Sequence, residues 1–173
     1  MNTNQERFPV RRLNRILTML LADMKDLSDE GRDLPIRWNI MHMYSSTQLA
    51  KLLAMRRGIE PELAGIAAAL HDIGVVMTKK HEGHAEAAKR YVDDFIEKFN
   101  FEWGTELPKV TQEEKEEILK AIVQHSEKEI YSEDQFVELL KDVDSLDRYF
   151  HGVKTEGAHL ERCNKVMREL RLK

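Results

Sequence analysis

The sequence has a single cysteine, Cys163, in 173 residues. No internal disulfide can form, and no thiolate cluster can hold a metal. Four prolines and eight glycines are too few and too scattered for a linker or a low-complexity segment. No apolar run approaches the roughly 20 residues of a membrane span, and the polar opening stretch Met1–Arg12 lacks the apolar core of a signal peptide. Net charge is small, −4 from 27 basic and 31 acidic residues, which leaves no basic footprint for nucleic acid. These absences predict a cytoplasmic protein with neither a membrane nor a nucleic acid as partner. A chain of this length, 42% hydrophobic and 34% charged, can bury a core without staples, and the expectation is one all-α domain over residues 1–173.

The apolar pattern is helical throughout. Leu13, Ile16, Leu17, Leu20, Leu21 and Met24 recur at three- and four-residue steps, one face of an amphipathic helix. The breakers Ser28, Gly31 and Asp33 make a loop of Asp26–Pro35. A second helix runs from about Trp38 to Arg57, with Gly58 as its C-cap. Pro61 opens a short helix that ends around His71-Asp72. Another helix spans about Gly83 to Phe99, followed by a loop over Asn100–Pro108. Thr111 and Glu114 form a capping box for a helix that passes through His125. The last two run from about Glu133 to Phe150 and from Gly157 onward. The final helix is strongly charged and offers a surface for a homodimer.

What stands out is Ala-Ala-Ala-Leu-His-Asp-Ile-Gly, residues 67–74. An imidazole and a carboxylate end an apolar run, and an unpaired buried charge costs several kcal/mol unless something satisfies it. Further candidates share core faces elsewhere. His42 lies on the face of Ser45, Ser46, Leu49, Leu52 and Leu53; His84 precedes Ala87, Ala88, Tyr91, Val92 and Phe95. His125 closes the series Ile118, Ala121, Ile122, and Asp144 lies on the shoulder of Phe136, Leu139, Val143 and Leu146. One such histidine is ordinarily a core residue with a hydrogen-bonded ring. Six such groups together predict a shared cation. Imidazole and carboxylate without cysteine suit one or two divalent ions of iron, manganese, zinc, cobalt or nickel. Asp72 can bridge two of them through its two oxygens.

The order of these residues resembles the HD-domain superfamily of metal-dependent phosphohydrolases: a lone His42, then His71-Asp72 in Leu-His-Asp-Ile-Gly, then His84 and His125, then Asp144 in Val-Asp-Ser-Leu-Asp-Arg. The resemblance covers about residues 38–150. It implies an HD-type helical bundle around a buried metal site, with His42, His71, Asp72 and Asp144 as the minimal ligand set. His84 and His125 would be the extra ligands of binuclear members, as in the branch containing the symmetrical dinucleoside tetraphosphate hydrolases. The implied activity is hydrolysis of a phosphate ester or anhydride in a nucleotide or other small phosphorylated compound, with His71 and Asp72 at the catalytic centre. The position after the run, where many members carry lysine, holds Val75. That residue keeps a second reading open, a catalytically silent module that binds metal or nucleotide. A diiron oxygenase on the same scaffold is a third.

Arg148, one turn beyond Asp144, is a candidate for binding substrate phosphate, as are Lys79 and Lys80, which also read as a solvated loop pair. His81 reads as a surface residue. His151 and His159 fall outside the pattern. Trp38 and Tyr44 read as packing residues or as the lining of a nucleobase pocket.

Overall fold

The computed structural model describes residues 10–172; most of Met1–Arg12 lies outside them. Among the described residues there are eight α-helices and no strand: α1 Arg11–Met24, α2 Ile36–Arg57, α3 Pro61–Leu70, α4 Ile73–Thr78, α5 His84–Trp103, α6 Gln112–Gln124, α7 Gln135–Phe150 and α8 Gly157–Glu169.

The helix ends follow from local chemistry. Gly58 takes the left-handed conformation, φ 70°, that closes α2. Pro61 occupies the first turn of α3, whose first amides donate to the Glu60 carboxylate. Thr111 and Glu114 make the reciprocal capping box at α6.

Two elements depart from expectation. α3 ends at Leu70, beside His71-Asp72 as expected, but Ile73-Gly74 then begins a further helix that the spacing does not predict, α4, which stops at Lys79 in the left-handed region, φ 67°. A six-residue helix is too short to show a period, and a lysine at such a C-cap carries none of the signal a glycine would. The second departure is Asn100, which lies within α5 instead of starting a loop. Its amide bonds both backbone groups of Val110, at 2.9 Å and 2.8 Å, tying the return segment to the helix.

The core forms around α3. Every residue from Leu63 to Leu70 is buried, as expected of a helix that is apolar all round. It packs on α1, α2, α6 and α7. Its last turn therefore delivers His71 and Asp72 to the middle of the bundle.

Gly74 secures the next step of the path. A Cβ there would overlap the carbonyl of His84, so only glycine lets α4 approach the first turn of α5 this closely. The charged residues of α8 turn partly inward. Arg162 is fully buried and bonds Glu138 at 2.8 Å, Asp142 at 2.9 Å and the Lys128 carbonyl at 2.9 Å. This pins the turn between α6 and α7.

Candidate metal centre

Four imidazoles converge here, and each has its Nδ1 already committed. His71 Nδ1 lies 2.7 Å from the Ala68 carbonyl, His84 Nδ1 2.6 Å from that of His81, and His125 Nδ1 2.5 Å from that of Ile122. His42 Nδ1 is 2.5 Å from Asp147 Oδ2. Carbonyls and carboxylates only accept, so all four Nδ1 atoms donate, and the four Nε2 atoms are left facing the interior. His42 and His71 Nε2 approach to 3.1 Å, and His84 and His125 Nε2 to 3.0 Å. Two lone pairs at that distance repel unless a proton or a cation lies between them.

The two carboxylates complete the set. Asp144 Oδ1 is 3.1 Å from His42 Nε2 and 3.8 Å from His71 Nε2. Asp72 serves both halves: Oδ2 lies 3.6 Å from His42 and from His71, while Oδ1 lies 3.3 Å from His84 and 3.7 Å from His125. His42, His71 and Asp144 form one group able to hold a metal ion, and His71, Asp72 and His125 form another. The donor atoms fit a divalent cation: neutral imidazoles with fixed tautomers and anionic oxygens, oriented by outer hydrogen bonds. All six candidates of the motif are thus brought together.

The electrostatics follow from this crowding. Burial works to raise the Asp72 carboxyl, but the surrounding imidazoles hold it well below the usual carboxylate range. Asp144 is likewise held down against burial, chiefly by the Lys128 ammonium and the His42 ring. Burial opposes a charge on His42, yet its hydrogen bonds to Asp144 and Asp147 outweigh that and raise it to about 10. Burial pushes His125 down to about 4 and His84 in the same direction. In the metal-free protein His42 therefore holds the proton that a cation would displace.

Two neighbours were not legible as participants. Lys128 is buried, with Nζ 2.6 Å from Asp144 Oδ2 and in contact with the His125 carbonyl, so only Oδ1 of that carboxylate faces the imidazoles. Its sequence context, Ser-Glu-Lys-Glu, reads as a solvated turn. Asp147 sits one turn beyond Asp144, and that spacing was its only signal. Asp142, on another side of α7, instead joins Arg57, Arg162 and Lys165.

A small polar pocket opens against Asp72, His84, His125 and Asp144, with Lys128, Arg148, His81 and His159 around it. Arg148 makes no ion pair among the described residues and is free to meet an anion there. Lys79 and Lys80 do not line this pocket. Their ammonium groups bond the α1–α2 loop, at the Glu30 carbonyl (3.1 Å) and Asp33 (3.0 Å). His151 lies outside the cluster, 3.0 Å from Ser45 and edge-on to Trp38. Trp38 stacks on the His42 ring, with centroids 5.8 Å apart.

An all-α bundle that turns imidazoles and carboxylates onto a common centre defines a class of metal-site protein. The HD domain family model matches residues 39–149, and the chain belongs to that family. No curated protein matches it. Among solved structures it is similar to the crystal structure of a predicted HD superfamily hydrolase from an uncultured Thermotogales bacterium. The two share 24% sequence identity over 99% of this chain and 97% of the other, with a TM-score of 0.60. That likeness supports the fold. Among the described residues no helix is long and apolar enough to cross a membrane.

Proposed function

We propose that the chain is a metal-dependent phosphohydrolase that cleaves an ester or anhydride bond of a small phosphorylated compound, with a nucleotide as the leading candidate. The observation that carries this reading is the set of four inward Nε2 atoms around two carboxylates, with Asp72 turned to both halves. His42, His71 and Asp144 would hold one divalent ion, and His84 and His125 a second, with Asp72 shared. Bound there, such ions lower the pKa of water from about 15.7 towards about 7 and neutralise charge on phosphoryl oxygens.

The protein's own groups supply the rest. Asp147 fixes the His42 ring, and the backbone carbonyls fix the other three. Lys128 holds one oxygen of Asp144 and leaves the other for the metal side. Arg148, which lines the polar pocket and makes no ion pair among the described residues, gives it a cationic group that suits a phosphate.

The test is phosphate release from a panel of nucleotides and p-nitrophenyl phosphate. Stripping the protein with EDTA should abolish turnover while leaving the helical circular dichroism intact, and adding back one of the candidate metals should restore it. Turnover that persists in fully stripped protein contradicts the reading.

A further inference from the structure

A second, largely apolar pocket of about 260 Å³ lies between α1, α2, α4 and α5. Its buried end is formed by Ala69, His71 and Asp72, the segment that carries the candidate ligands. Asp72 also lines the polar pocket, so the two cavities share this residue. The walls are Met24, Met43, Ile73, Val76, Tyr91 and Phe95, and the rim holds the exposed Asp23, Asp94 and Lys98.

Asn39 lines this pocket too. Its Nδ2 donates to the carbonyls of Pro35 at 3.0 Å and Leu34 at 3.3 Å, which settles the orientation of the amide. Its Oδ1 is buried and has no hydrogen-bond partner in the protein. An acceptor kept buried and unpaired is costly unless a ligand supplies a donor.

We propose that this pocket receives the organic part of the substrate: a flat, mostly apolar group of about one ring system carrying an N–H or O–H donor for Asn39. Thioether and aromatic walls suit a ring face, and apolar lining with one placed polar group is the usual character of a small-molecule site. The rim is balanced in charge: Lys98 pairs with Asp23, at 3.3 Å from both oxygens, and Arg90 pairs with Asp94 at 3.7 Å. A balanced rim over apolar walls suits an uncharged organic group, so the substrate class is a phosphate ester of an aryl or nucleoside alcohol, with its phosphate at the metal centre. The placement of the phosphate rests on the phosphohydrolase reading; the pocket's occupant does not.

Two phosphate-free probes, 1-naphthol and adenosine, separate those claims when titrated calorimetrically into the metal-free full chain. Saturable binding of either probe is expected, weakened tenfold or more by Ala69→Leu, which fills the buried end, and by Met77→Trp, since Met77 is an exposed residue that lines the pocket. The stronger probe tells an aryl group from a nucleobase. With metal restored, the KM for 1-naphthyl phosphate or AMP should lie below that for glycerol 2-phosphate, and the ratio should collapse in the same variants. Failure of both probes to bind, or binding that Met77→Trp leaves unchanged in folded protein, overturns the pocket assignment even if phosphate esters are cleaved. Probe binding without any cleavage supports the pocket and removes the hydrolase reading.

Discussion

Asp147 Oδ2 lies 2.5 Å from His42 Nδ1, inside a bundle where both side chains are almost wholly shielded from water. The carboxylate fixes the tautomer and turns Nε2 of His42 onto His71 and Asp144. Outer partners of this kind typically contribute 10–100-fold to metal affinity. Asp147→Asn is therefore expected to weaken metal binding by about that factor while the fold persists. Competition against a chromophoric chelator measures it; unchanged affinity would show that the pair is only structural.

Gly74 sets the distance between α4 and the start of α5. In Gly74→Ala the added methyl meets the His84 carbonyl, and relieving that overlap should cost about 1–3 kcal/mol of stability. His84 moves with its backbone, so metal content should fall most in the half of the centre formed by His84 and His125. Denaturant unfolding and metal analysis of the same variant read the two effects together.

Lys128→Met leaves Asp144 as a buried carboxylate without its ammonium partner. Removing one member of such a pair commonly costs about 3–5 kcal/mol. A bound cation partly replaces the lost charge, so the loss should be larger in stripped protein than in metal-loaded protein. Thermal unfolding with and without metal checks this, and equal losses would mean that Asp144 does not face the cation.

The metal-free protein should lose stability on both sides of neutrality. His42, raised to about 10, contributes stability that is complete below its unfolded value near 6.5 and is lost as pH rises through about 10. His125, lowered to about 4, acts in the opposite sense: the unfolded chain takes up the proton first, so stability falls as pH drops from about 6.5 to about 4. Urea titrations across this range should show a maximum between those limbs in stripped protein. Bound metal should steepen the acid limb, because protons compete with it for the imidazoles.

Much of this was readable in the residues. Gly58, Pro61 and the Thr111–Glu114 box mark helix ends by strictly local chemistry, and the core-facing histidines follow from helical spacing. The six clustered groups needed the recurrence of polar residues on apolar faces, which a sequence displays directly. What stayed hidden depends on tertiary contact. Lys128 looks solvated until α8 packs and Arg162 takes its carbonyl. The charges of α8 look outward until Glu138 and Asp142 meet Arg162. Asn100 reads as a helix breaker until Val110 comes back to it. The apolar pocket is assembled from four helices, and no stretch of sequence encodes it.

The central claim is tested most directly by the metal content of untagged protein, after reconstitution with iron, manganese, zinc, cobalt or nickel, beside the His71→Ala/Asp72→Ala double variant. About two ions per chain in the wild type, lost in the variant, is the predicted result. No ion bound under any of these conditions would contradict the account.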